Sequence, residues 1–254
     1  RPRGDGPRGP AGTGGTVELS GARVLVAGAT GAIGHGITRE LTARGARTAL
    51  AGRDAARLVT VADATGPDTP RRVFDAYDLD GCAALAPWAA ERLGGLDAVV
   101  CAVGAVAFGP ADTLLDAHAE HLVTVNLLAP AALLRAALPL LPEGGAVLAL
   151  TGVVATSPQP GMADYSASKA ALAAWLTAAR AEQRRRRVRV VEARLGHLDT
   201  GLVDRAVAGT PPPLPPGGDP DRAVAAVADA LTGDAELVRP APGGPGCVLQ
   251  RRAR

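Results

Sequence analysis

The chain has 254 residues, 47% of them hydrophobic, and its 27 basic and 25 acidic side chains leave a formal charge of +2. That length and apolar share suffice for one sizeable core, and α/β domains of this size are often single units. The near balance of charge excludes a broad electrostatic attraction to nucleic acid or anionic membrane.

The opening RPRGDGPRGPAGTGGT is rich in Gly, Pro and Arg and lacks apolar periodicity, so residues 1–20 are expected to form a flexible leader. It lacks a starting Met and reads as the remnant of a longer chain, with the folded domain expected over 21–254. From Arg23 onward short apolar runs alternate with amphipathic ones. Strands are expected at 23–27, 48–51, 73–77, 98–101, 146–150 and 188–193, with a seventh at 236–239. Helices are expected at 34–44, 54–64, 82–93, 114–138, 164–184 and 221–231. This alternation predicts an α/β fold: a single domain of three layers, with a Rossmann-like, doubly wound parallel sheet between helices.

The apolar run over 122–141 is broken by Asn126, Pro130, Arg135 and Pro139, so no membrane span is expected. Cys82, Cys101 and Cys247 are odd in number and lack close metal-ligand spacing, so neither a disulfide framework nor a metal site is expected, and a reducing cytoplasm is the default. The segment 209–218, centred on PPPLPP, continues neither helix nor strand. It reads either as part of a substrate-binding loop over 195–220 or as an idle surface connection.

VLVAGATGAIGHG places Gly28, Gly31 and Gly34, with Ile33 among them, directly after the first strand and at the start of the first helix. With 32 glycines, chance alone yields roughly 0.5 copies of this spacing, so the strand-turn-helix context carries the signal. Such a turn sets backbone N–H groups and the positive end of a helix dipole against a pyrophosphate. In LAGRD the second strand ends at Gly52 without the acid that would hold the ribose hydroxyls of NAD(H), and Arg53 follows. A cation there suits the extra phosphate of NADP(H), which is therefore the expected cofactor over NAD(H).

DYSASKAAL sets Tyr165 and Lys169 four apart on one helix face. Lys169 is the sole lysine and only two tyrosines exist; random placement gives this pairing about 1% of the time. Asn126, the sole asparagine, lies in VNLL within the preceding long helix. The bland alternative is a surface Lys, a half-buried Tyr and a helix-breaking Asn.

Over 22–234 the sequence resembles the short-chain dehydrogenase/reductase superfamily through GATGAIG, AGRD, YDLD, LDAVVCAVG, VNLL, YSASK and RLGHLDT. The resemblance implies that Tyr165 is the general acid/base and that Lys169 bonds the nicotinamide ribose and lowers the Tyr pKa. Bringing a phenol from about 10 to about 7 takes roughly 4 kcal/mol, the worth of one cation about 4 Å away at an effective dielectric near 20. It also implies that Asn126 anchors a proton relay, that Thr200 and Leu198 meet the carboxamide or phosphates, and that Asp78 and Leu79 border the adenine, with Ala102 and Gly104 along its ribose side. A homodimer or homotetramer acting on a small-molecule carbonyl/alcohol pair follows from the same likeness.

The family's catalytic Ser position is Gly152 here. Losing such a donor typically costs about 2.7 to 4 kcal/mol. Thr151 should point to the other face of its strand, leaving Thr156, Ser157 or a substrate hydroxyl as substitutes. His197 and Asp199 are read as an exposed loop pair that could also supply a donor, and RRRRVR at 184–189 as a solvated last helical turn. Phe108, Val153, Val154 and Met162 border a substrate cleft by the likeness, or are core. Three functions follow: an NADP(H)-dependent oxidoreductase; the same scaffold doing non-redox acid/base chemistry, such as cyclisation or dehydration; and a nucleotide-binding protein with little catalysis.

Overall fold

The structure, a computed structural model, describes residues 16–244 and 246–251. In chain order its elements are β1 (Arg23–Ala27), α1 (Ala32–Ala43), β2 (Arg47–Gly52), α2 (Ala55–Thr65), β3 (Arg71–Val73), α3 (Leu79–Ala83), α4 (Leu85–Leu93), β4 (Ala98–Cys101), α5 (Asp116–Val123), α6 (Ala129–Ala137), β5 (Ala146–Leu150), α7 (Ala163–Gln183), β6 (Arg189–Ala193), α8 (Pro220–Thr232), β7 (Ala235–Pro240) and β8 (Cys247–Arg251).

The strands form one sheet in the order β3-β2-β1-β4-β5-β6-β7-β8. All neighbours run parallel except β7 and β8. Central strands read as continuous apolar runs because both faces are covered. On one face α1, α2 and α8 supply Ile37, Leu41, Leu58, Val61, Val227 and Leu231. On the other α4, α6 and α7 supply Leu85, Leu93, Leu133, Leu134, Leu172 and Leu176. Strand order reverses between β1 and β4, the switch point at which α/β sheets open a crevice at their carboxyl ends.

Several expectations are corrected. Residues 1–15 of the expected leader lie outside the described residues, but Val17 and Leu19 are buried in the core, so the folded unit begins before residue 20. The third strand is Arg71–Val73 rather than 73–77, since Asp75 Oδ1 accepts from Tyr77 N–H at 3.0 Å and turns the chain. β8 was not foreseen. The long helix over 114–138 is interrupted at Thr124–Leu128 by a π turn, in which Ala129 N–H reaches Thr124 O. Asp116–Leu140 is long and apolar enough to cross a membrane by length and composition, yet its Leu133, Leu134 and Ala137 pack beneath the sheet as core.

The basic run is solvated at Arg184 to Arg187, in the turn that follows α7, as expected, but two of its arginines also close backbone carbonyls elsewhere. Arg186 Nη1 donates to Leu138 O at 2.7 Å. Arg189 donates to Ala230 O at 2.9 Å and to the carbonyls of Leu231 and Gly233, closing the C-terminus of α8.

Candidate active site

A cavity of about 1230 Å³ opens along the carboxyl ends of the strands. Its floor is the turn after β1. Gly28 has φ +85°, and a Cβ there would lie 2.7 Å from Ala102 C and O. A Cβ at Gly34 would lie 2.1 Å from Gly28 O, so only glycine lets α1 begin so close to the strand end. Gly31 is the N-cap of α1, and its N–H is turned inward onto Gly28 O at 3.0 Å. The result is a concave backbone cradle at a helix N-terminus, which fits a dinucleotide pyrophosphate. Gly28, Gly31, Ile33, Gly34, Ala102, Gly104, Leu198 and Thr200, expected from the sequence to meet a cofactor, all line the cavity.

Beside the cradle, Arg53 lines the cavity, and so does Arg57. Asp54 caps α2 by accepting from Arg57 N–H at 3.0 Å, which sets the two arginines on one short turn. A Cβ at Gly52 would lie 2.9 Å from Thr30 Cγ2 and 3.1 Å from Leu58 Cδ1, so an acid there would displace its neighbours. His121 Nδ1 shares a 2.7 Å hydrogen bond with the Tyr77 hydroxyl, and burial with the nearby Arg53 cation holds this imidazole below its ordinary pKa.

Asp78 and Leu79 do not line the cavity. Asp78 instead caps α3, accepting from Gly81 N–H at 2.8 Å, while Asp75 and Ala76 line the cavity. The error follows from the misplaced third strand, which moved its carboxyl end along the chain. Arg57 was missed because arginine is common in this chain, although the Asp54 cap three residues earlier was a legible signal.

Tyr165 and Lys169 lie one turn apart on α7, 9% and 4% exposed, and both line the cavity. Lys169 Nζ donates to Leu150 O at 3.3 Å. A Cβ at Gly104 would sit 3.1 Å from Lys169 Nζ and 3.3 Å from Asn126 Oδ1, so glycine lets these two groups converge. Asn126 is fully buried in the π turn: its Oδ1 accepts from Ala105 N–H and its Nδ2 donates to Ala105 O, both at 2.9 Å. Nδ2 also donates to Ser168 Oγ at 3.0 Å, a partner that sequence reasoning missed.

The expected depression of the Tyr165 pKa is not present in this arrangement. Burial pushes the phenol up to about 12 and the Lys169 ammonium down to about 8. Burial is the leading cause for both groups, and Lys169 is directed at a strand carbonyl. At about 8 the ammonium remains mostly charged at neutral pH, so it is still available as a cation.

Gly152 lines the cavity in extended backbone, φ 178°. Thr151 does not supply the hydroxyl that the resemblance places at Gly152: its Oγ1 donates to the buried Glu192 at 2.6 Å, and Glu192 is held in turn by Arg194 at 2.9 Å. Of the other candidates, Ser157 and His197 line the cavity, whereas Thr156 and Asp199 do not. Phe108, Val153, Val154 and Met162 line it too.

Comparison with known proteins agrees with this geometry. The family described as short chain dehydrogenase matches residues 22–210. Nodulation protein G of Rhizobium sp. (strain N33) is 30% identical over 190 residues, covering 74% of this chain and 78% of that protein. A short chain dehydrogenase of Pseudocercospora fijiensis is 32% identical over 165 residues, covering 61% of this chain, which spans only 52% of that relative's length. Among solved structures, a short chain dehydrogenase from Burkholderia cenocepacia J2315 in complex with NADP superposes with a TM-score of 0.76 at 28% identity, covering 85% of this chain and 93% of that one. The fold, the glycine cradle and these matches together place the chain in the short-chain dehydrogenase/reductase family.

Proposed function

We propose that the protein is an NADP(H)-dependent oxidoreductase interconverting a carbonyl and an alcohol, with Tyr165 as general acid/base. The observation that carries this reading is that Tyr165, Lys169 and the Gly28–Gly34 cradle face one continuous cavity. Bound in that cradle, NADP(H) would supply or accept the hydride. Gly28, Gly31, Ile33 and Gly34 would hold its pyrophosphate, Arg53 and Arg57 its extra phosphate, Asp75 and Ala76 its adenine end, and Ala102, Gly104, Leu198 and Thr200 the remainder.

Tyr165 makes no hydrogen bond through its hydroxyl among the described residues, so the phenol is available to exchange a proton with a substrate oxygen. Lys169, charged at neutral pH, stabilises phenolate character when the proton leaves. Asn126 holds the β4 loop against α7 so that these groups keep their places. Self-association belongs to the same reading, supported by the exposed Leu115, Val123 and Leu128 along the helix that runs through α5 and α6.

The test is absorbance at the reduced nicotinamide band with a panel of ketones, on the wild type and Tyr165→Phe. Loss of turnover in the variant with cofactor affinity retained is the expected result. Gly152 supports one second reading, acid/base chemistry without hydride transfer, since the usual carbonyl donor is missing. Product formed without any change in that absorbance would favour it.

A further inference from the structure

We infer that the substrate of this site carries a carboxylate set off from its carbonyl by an apolar body, and that Arg205 receives that carboxylate; this rests on the oxidoreductase reading above. The cavity exceeds the roughly 300 to 1,000 Å³ usual for one ligand, so it has room for a dinucleotide and a second molecule. The charges on its wall are unevenly placed. Among the described residues its carboxylates are Asp54 and Asp75, which follow β2 and β3 at the end proposed for adenine, together with Arg53 and Arg57. The loops that follow β5 and β6 bring no carboxylate to the wall, and the fixed charge they do bring is Arg205.

The fold holds that cation beside the reacting end. Arg205 closes a short helical turn over Val203–Arg205. Val203 and Ala206 pack against the apolar cluster that contains Phe108, Val154, Met162 and Tyr165. Val207 N–H then donates to Val106 O and Phe108 N–H donates to Ala208 O, both at 2.9 Å, so main-chain bonds fix the turn from its far side. With these neighbours turned inward, the Arg205 side chain is left exposed while it still lines the cavity.

Its guanidinium is positioned without being neutralised. Nη2 donates to Thr200 O at 3.2 Å, and a bond to a carbonyl leaves the charge whole. Gly201, φ +63°, supplies the room, since a Cβ there would lie 3.2 Å from Arg205 Nη1. Arg205 has no carboxylate partner among the described residues, and its neighbour Asp204 does not line the cavity. One planar guanidinium suits one carboxylate, in charge and in shape. Lys169 shares the cavity, but it lies one turn from Tyr165, where the substrate carbonyl must sit. Phe108, Met162 and Leu202 line the wall as well, which calls for an apolar body between the two polar ends. In reduction the carbonyl carbon gains the hydride of NADPH and its oxygen gains the Tyr165 proton, while the carboxylate is unchanged.

The test titrates 4-acetylbenzoate and 7-oxooctanoate, each beside its primary amide, calorimetrically into the protein saturated with NADP⁺. An acid and its amide have nearly one shape and differ in charge. Because Arg205 is exposed the gain is modest: at least one acid should bind about fivefold more tightly than its amide, and added salt should shrink the difference. Arg205→Gln should erase the preference while NADP⁺ binds within about twofold of wild type, and Arg205→Lys should keep part of it. Equal affinities within each pair, or no binding of any of these compounds at millimolar concentration, overturn the inference. So does a preference that survives in Arg205→Gln, which would seat the acid on Lys169, or an NADP⁺ affinity that falls in that variant, which would assign Arg205 to the cofactor. Turnover is read separately with NADPH. An acid that binds with this preference and is not reduced overturns the oxidoreductase reading alone and leaves the pairing with Arg205 standing.

Discussion

Asn126 and Ser168 tie together the two helical segments that flank the site: Asn126 Nδ2 donates to Ser168 Oγ at 3.0 Å, and Ser168 Oγ donates onward to Tyr165 O at 2.8 Å. The same amide satisfies both the N–H and the carbonyl of Ala105. Asn126→Ala leaves those backbone groups without their partner, at about 1–3 kcal/mol each for groups that stay buried. A loss of about 2–4 kcal/mol in urea unfolding is expected, along with reduced turnover. Unchanged stability would mean that Ala105 finds water instead.

Lys169 is buried with its ammonium pulled down to about 8 from 10.5. A lowered folded-state pKa means the native state binds fewer protons, so the penalty is full below about pH 8 and fades as pH rises toward 10.5. Lys169→Met should therefore be more stable than wild type by about 2–3 kcal/mol at pH 7. It should also be inactive. The stability gap should close between pH 8 and 10.5 in a pH series of thermal melts. A gap independent of pH would show that packing, not charge, separates the two proteins.

Arg53 and Arg57 share one turn beside the cradle. Arg53→Ala should weaken NADPH by about 1.5–3 kcal/mol, the worth of a hydrogen bond to a charged group, and leave NADH nearly unchanged. Arg57→Ala should act in the same direction. Calorimetry with both cofactors decides this, and an equal loss for NADH would remove these residues from phosphate recognition.

Gly152 has room for a side chain, since a Cβ there meets only Val154 Cγ2 at 3.5 Å and Leu195 O at 3.7 Å. Gly152→Ser should raise kcat on simple ketones, by up to about a hundredfold, because the hydroxyl can meet charge developing on oxygen. Gly152→Ala supplies the Cβ without the hydroxyl and should give no such gain. Equal rates in the two variants would exclude hydrogen bonding as the cause.

The layered architecture was legible because β1, β4 and β5 are short apolar runs buried on both faces, and their bounds were anticipated to the residue. The edges were not. β3 is a short edge strand whose Val73 is 52% exposed, so it carries no burial pattern to read. β8 is half-exposed and follows a Gly- and Pro-rich turn, which resembles a tail. Tyr165, Lys169 and Asn126 stood out because their residue types are scarce in this chain. Arg57 belongs to a common type, whereas Ser168 is one of only four serines and was read merely as part of YSASK; only the fold brings them to the site. The π turn at Thr124–Leu128 shifts register within an apolar helix, where periodicity alone gives no warning.

The three glycines of the cradle answer to different demands. Gly28 and Gly34 are enforced by backbone, since any Cβ there would overlap main-chain atoms of the same protein. Gly31 has φ −78° and ψ 158°, and a Cβ at that position meets nothing nearer than Gly28 O at 3.4 Å. The chain alone would accept alanine there, yet the methyl group would enter the space in front of the helix N-terminus. Gly31 is thus where foldability and ligand occupancy come apart: a library selected only for soluble protein should diversify at this position and stay fixed at Gly28 and Gly34, whereas one selected for dinucleotide retention should fix all three.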